Sequence, residues 1–217
     1  MRKLIKGIIE FRRLHRDSKK DLFAKLALGQ KPDALFIACS DSRVAVNVFA
    51  STDPGDLFVV RNVGNMVARC DDKGLFPVDE SEGAALEFAI EKLGVKNIII
   101  CGHSDCGAIN ALCSGRLKIN SPHLRSWLRH GEDALDAVRS EKKHAPGSRE
   151  EMDEVSKRNV VLQMEHLMSY PALRQGTMAL HGLWFDIRNA DVYYYENDAF
   201  ILLDDQEGER ILSRLSS

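Results

Sequence analysis

Two short stretches of the chain carry thiol and imidazole side chains at spacings that suit a soft metal. The first reads Cys39-Ser40-Asp41-Ser42-Arg43 and the second His103-Ser104-Asp105-Cys106. His103 and Cys106 are three residues apart, so both can turn toward one point in a tight loop. With Cys39 they make a set of two thiolates and one imidazole, the donor types zinc takes in tetrahedral geometry. A structural zinc site brings four ligands in two close pairs. Here one pair is close and the third ligand lies 64 residues earlier. Three protein ligands leave a fourth position open, the pattern of a catalytic zinc. The bland alternative is coincidence, since His-x-x-Cys is a short motif and free cysteine is commonly a small core residue. Asp41 and Arg43 sharpen the metal reading. Arg43 can hold Asp41 in a bidentate ion pair and keep it ionised. Asp41 can then accept a hydrogen bond from a zinc-bound hydroxide, or bind the zinc itself. The pair could equally do no more than staple a turn.

The elements around these residues must bring them together. Residues 34–38, 57–60 and 97–100 are short apolar runs, the mark of strands buried on both faces. Each runs into a polar exit, the second being Arg61-Asn62-Val63-Gly64-Asn65 and the third beginning at Gly102. Ligands of open parallel sheets bind beyond the carboxyl ends of the strands, so this edge is the expected site. Helix is expected over 18–28, stopped by Gly29-Gln30. A loop is expected over 68–80, then a helix capped by Ser81 that buries Leu86, Ala89, Ile90 and Leu93 and ends at Gly94. Helix resumes near Cys106, again over 122–140, and over 152–168. A fourth strand is expected over 177–185, and residues 192–195 and 200–203 read as a terminal hairpin or edge strands. Strands alternating with amphipathic helices predict an α/β fold with a mainly parallel β-sheet.

Composition is ordinary for a folded domain: 217 residues, 44% hydrophobic, 29% charged, net charge −2. No apolar run approaches the ~20 residues needed to span a bilayer. Membrane-spanning, disordered and collagen-like classes are thereby excluded. Five cysteines are too few for a disulfide scaffold, which points to reduced thiols and a cytoplasmic setting. The charge is unevenly spread. Residues 1–20 carry +6 and the remainder −8. Leu4, Ile5, Ile8, Ile9 and Phe11 give that basic segment an apolar face at helical spacing. It reads as a helix docked on a partner surface; nucleic-acid binding is disfavoured because no aromatics interleave the charge and the body is acidic.

Taken together, Cys39-Ser-Asp-Ser-Arg43 and His103-Ser-Asp-Cys106 resemble the β-class carbonic anhydrases. Gly29-Gln30-Lys31-Pro32, the block from Gly55 to Asn62, the block from Gly83 to Ala89, Asn159-Val160 with Gln163, and Leu180-His181-Gly182 are similar to the family's blocks as well. The resemblance implies a zinc lyase interconverting CO2 and bicarbonate. It would hold one Zn2+ per chain on Cys39, His103 and Cys106, with Asp41 as an alternative fourth ligand in a closed state. The Asp41–Arg43 dyad would orient the attacking hydroxide. Gln30, Phe58, Phe88 and Gly102 would bind substrate, Phe88 standing where many members have Tyr. Phe36 and Phe185 stand where some members use Trp and Tyr, beside the arginine matched by Arg61, to bind regulatory bicarbonate. That pocket is not expected here. The implied fold has four parallel strands plus an antiparallel edge strand flanked by helices. The implied organisation is a single domain with an N-terminal helical arm over 1–30 and a zinc-binding core over 31–217. The implied assembly is a dimer or tetramer in which the arm lies over the neighbour, with no nucleic-acid or membrane partner. Rival readings are hydrolysis of carbonyl sulfide or carbon disulfide at the same site, and a structural zinc or thiol redox module. The redox module would leave Asp41, Arg43 and Gln30 without a purpose.

Overall fold

The computed structural model describes residues 1–71, 80–174 and 176–215. Six strands form one sheet in the order β2-β1-β3-β4-β5-β6. β1 (Ala34–Cys39), β2 (Leu57–Asn62), β3 (Asn97–His103) and β4 (Ala179–Asp186) run parallel. β5 (Asp191–Glu196) and β6 (Ala199–Leu202) form the antiparallel hairpin read at 192–195 and 200–203, two edge strands where the resemblance implied one. Asn197 and Asp198 join them, both at positive φ, the backbone a two-residue hairpin turn requires. All six residues of β1 are buried, as its continuous apolar run demands. The chain leaves β1 for β2 on one side and returns to β3 on the other. The carboxyl ends of β1 and β3 therefore flank the topological switch point, where such sheets open a crevice.

The N-terminal arm is a continuous helical rod: α1 (Arg2–Glu10), a π-helical turn over Phe11–His15, and α2 (Arg16–Leu26). Its apolar residues Leu4, Ile5, Ile8, Ile9 and Phe11 stay 44% to 58% exposed. α2 reaches the body through Lys19 Nζ, 2.7 Å from Asp53 Oδ1. α3 (Val46–Phe49) follows β1. α4 (Glu80–Glu87) runs into a π-helical turn over Phe88–Lys92 and stops at Gly94, whose φ is +69°. Ser81 lies inside the first turn of α4 rather than ahead of it, and most of the loop expected at 68–80 lies outside the described residues.

α5 (Gly107–Cys113) follows the β3 exit. The single helix expected over 122–140 is two, α6 (Pro122–Trp127) and α7 (Glu132–Glu141), joined by a tight turn over Leu128–Gly131. A Cβ at Gly131 would stand 2.8 Å from Met66 Cε, so the chain bends where it packs closest on the core. α8 (Arg149–Leu167) is capped by Ser148, whose Oγ accepts from the Glu151 amide at 3.1 Å. α8 lies against β3 and β4, where side chains would collide. Added Cβ atoms at Gly102 and Gly182 would meet Val160 Cγ2 at 2.7 Å and Met164 Sδ at 2.9 Å. On this face Leu35, Ile37, Ile98, Ile100, Val160 and Leu167 form the core; on the other, Phe36, Ala38, Cys101 and Phe185 pack with Phe49. A last helix, α9 (Asp205–Leu215), was not foreseen from the sequence. Its signal was present: Asp204 Oδ1 accepts from the Glu207 amide at 2.9 Å, an Asp-x-x-Glu start. Gly208 and the surrounding charges masked it.

Candidate metal centre

β1 ends at Cys39 and β3 at His103, one on each side of the switch point, and Cys106 stands at the entrance to α5. The ligand atoms of Cys39, His103 and Cys106 all lie within 4.8 Å of one another, and all three residues are buried. The sulfurs are 3.9 Å apart. Zn–S bonds of about 2.3 Å at a tetrahedral angle put two sulfurs about 3.8 Å apart, so the pair fits that ion. His103 supplies a second test. Its Nδ1 is 2.8 Å from the Ser104 carbonyl oxygen, which can only accept, so Nδ1 carries the proton. Nε2 is left as a bare lone pair, buried and with no hydrogen-bond partner. An orphaned imidazole nitrogen facing two thiols is costly unless a ligand occupies it.

The two thiols are within hydrogen-bonding reach of each other. The hydrogen bond from Cys106 brings the Cys39 thiol down to about 4. The hydrogen bond to Cys39, then burial, pushes Cys106 up. The amide of Gly64, at φ +87°, also donates to Cys39 Sγ at 3.3 Å. Burial instead raises Cys101 to about 12 and Cys113 to about 11, which keeps them neutral thiols.

Asp41 stands just beyond Cys39 but outside the three-ligand group. Arg43 grips its carboxylate with two bonds, Nε to Oδ1 at 2.9 Å and Nη2 to Oδ2 at 2.7 Å, and the Arg43 amide adds a third at 3.0 Å. These hold the Asp41 carboxyl well below its usual range despite opposing burial. Arg43 Nη2 also donates to the Asp105 carbonyl at 3.0 Å, which ties the β1 exit to the β3 exit. Asp105 sits at φ +53°, and its carboxylate receives Arg149 at 3.2 Å and Arg188 at 3.5 Å. Arg61 Nη2 donates to the Asp41 carbonyl at 2.8 Å.

The expected substrate residues are placed elsewhere on this chain. Gly102 is buried in β3 beneath α8, against Val160 and Ser156. Gln30 is exposed and lines a groove with Phe23 and Leu26 at the end of α2. Phe58 pairs with Leu35, four residues before Asn62, the partner of Cys39. That is about 13 Å along the strand. Its ring stacks on exposed Phe88 at 5.9 Å. Phe185 stacks on Phe49 at 4.7 Å, and Phe36 meets the same ring at a tilt, 6.3 Å away. Two positioning residues escaped the sequence reading, although their block was noticed. Asn159 Nδ2 donates to the Gly64 carbonyl at 3.1 Å, and Gln163 bridges Asn159 Oδ1 at 2.8 Å and the Val67 amide at 2.7 Å. α8 thus holds the β2 exit whose Gly64 amide faces Cys39.

Residues 34–192 match the sequence model of the carbonic anhydrase family. A carbonic anhydrase of Pseudomonas aeruginosa is 39% identical over 88% of this chain and 86% of its own. One of Synechocystis is 38% identical over 90% and 71%. Among solved structures, the β-carbonic anhydrase CcaA superposes with a TM-score of 0.86 at 34% identity, covering 95% of this chain and 93% of its own. A structure from a study of two tetrameric β-carbonic anhydrases of Sordaria macrospora gives 0.75 at 28% identity, covering 89% and 95%. The chain belongs to the β-class carbonic anhydrase family and is an enzyme of that class.

Proposed function

We propose that the chain catalyses the reversible hydration of CO2 to bicarbonate and a proton, on one zinc ion per chain held by Cys39, His103 and Cys106. The observation that carries this reading is the bare, buried Nε2 of His103 beside two thiols, with an ionised Asp41 at the same crevice. Zinc in such a site supplies hydroxide near neutral pH by lowering the pKa of water. The protein does the rest. His103 is fixed in the right tautomer by Ser104, and its carbonyl is held by Ser156 Oγ at 2.8 Å. The Gly64 amide steadies the Cys39 sulfur. Asp41, kept ionised by Arg43, would accept a hydrogen bond from the attacking hydroxide and so aim an oxygen lone pair at carbon. Because both Asp41 oxygens are engaged by Arg43, the carboxylate is drawn away from the role of fourth ligand.

CO2 is uncharged and has no donors, so its pocket should be largely apolar. Phe58 on β2, Phe88 stacked on it from the turn after α4, and Gln30 at the end of α2 are too far off to line the centre of their own chain. We assign them to the site of a second copy, in a dimer or tetramer bridged by the helical arm. The tetrameric relatives of Sordaria macrospora support assembly of this kind. Two thiols 3.9 Å apart need a reducing compartment, which favours the cytoplasm. No helix among the described residues is long and apolar enough to cross a membrane.

The test is Asp41→Asn, assayed by stopped-flow CO2 hydration alongside metal analysis. Zinc should remain at about one per chain, because three ligands are untouched. Activity should fall about a hundredfold or more. A variant as active as the wild type would remove Asp41 from the mechanism.

A further inference from the structure

Hydration releases one proton per turnover, and the groups at the centre cannot carry it off. His103 Nδ1 is committed to a carbonyl and Asp41 to Arg43. A cavity of 570 Å³ opens beside the centre, between the β1 and β2 exits and α6. Ser40, between Cys39 and Asp41 in the chain, lines it, as does Arg61, bonded to the Asp41 carbonyl. Two histidines line it, His130 half-buried and His123 exposed, seven residues apart. Imidazole is the side chain that gains and loses a proton near neutral pH.

His130 is held firmly. Its ring meets Trp127 edge-on at 5.4 Å, and Trp127 Nε1 donates to the Val63 carbonyl at 2.7 Å. Its own carbonyl receives Gln163 Nε2 at 2.9 Å, from the network that positions Gly64 against Cys39. The cavity is charged on several sides: Arg61 from β2, Arg129 from the turn before α7, and Glu82 from α4. Glu82 Oε1 accepts from Asn62 Nδ2 at 3.2 Å. A space of this size with several polar groups in its walls accommodates bridging water.

We propose that His130 takes the proton of hydration and His123 passes it to bulk buffer. This relay rests on the hydration reading above. In the step, an O–H bond of the attacking water breaks and its electron pair stays on oxygen, which bonds to the CO2 carbon. The proton moves through cavity water to the His130 imidazole, then to His123, then to a buffer base, and both rings return to neutral. Glu82 steadies the transient imidazolium, while Arg61 and Arg129 press it to give the proton up.

His130→Ala, His130→Gln and His123→Ala separate this step from the attack on CO2. For the His130 variants at low buffer concentration, kcat should fall at least about tenfold. His123→Ala should show a smaller drop. In all three, kcat/KM for CO2 and zinc content should match the wild type, and concentrated imidazole buffer should restore kcat. Independently of turnover, the His130 ring resonances of the unsubstituted chain should titrate between about pH 5 and 8. An unchanged kcat, a parallel fall in kcat/KM, failure of imidazole to rescue, or a His130 ring that does not titrate would each overturn the relay. A wild-type chain without hydration activity would overturn the functional reading, and the relay with it.

Discussion

At Gly102 the absent side chain matters more than any contact it makes. One residue before His103, it lets Val160 and the Ser156 carbonyl of α8 lie against β3. Gly102→Ala should therefore cost about 1–3 kcal/mol of stability through overpacking. It should also loosen zinc retention, because His103 would be pushed from its seat. Thermal melting and metal content after dialysis measure both effects; normal values for each would mean α8 yields at no cost. The sequence shows the candidate ligands and the Asp41–Arg43 pair directly, because donor chemistry is a property of residue type and each motif is local. It does not show the tautomer of His103, the hold of Asn159 on Gly64, or the cavity that His130 and Ser40 share. Those relations cross tens of residues and exist only once the sheet has closed.

At the level of elements, α7 and α8 are locked by one buried carboxylate. Glu151 Oε1 receives Arg139 Nε at 2.8 Å and its Oε2 receives the Gly147 amide at 2.6 Å. Arg139 Nη2 also reaches the Cys113 carbonyl at 2.8 Å, at the end of α5. Arg139 first, and the Gly147 amide after it, lower the Glu151 carboxyl against the cost of burial. A folded value below the unfolded one means the carboxylate stabilises the native state above its ordinary 4.5 and loses that effect as pH falls below it. Glu151→Gln should destabilise the chain by about 1–3 kcal/mol at neutral pH. The gap to wild type should close as acidification protonates the carboxylate in both states, below its ordinary 4.5. Urea unfolding at neutral and acid pH tests this, and a gap independent of pH would exclude the charge as its source. The parallel strands were legible because burial on both faces leaves unbroken apolar runs, as in β1. The break at Gly131 was not, since it answers to Met66, a residue distant in sequence. α9 was obscured because its charges outweigh its apolar positions.

For the whole molecule, the exposed apolar stripe of the arm has no counterpart on its own chain among the described residues. A +6 segment and a −8 body are complementary between copies. Deleting residues 1–20 should weaken self-association, read as a lower mass by light scattering, and should lower hydration activity if Gln30 and Phe58 serve a neighbour's site. A truncated chain with unchanged mass and rate would free the arm of this role. The position of the ligands also has a consequence in time. Cys39 and His103 are 64 residues apart, with β2 and α4 between them. The centre cannot exist until β3 has taken its place beside β1. A metal ion seated there closes the long loop between them and adds its binding free energy to the native state alone. Loading with the proposed zinc would thus be a late event in the life of each chain, a seal on a sheet already assembled, and loss of the sheet's register would release the ion.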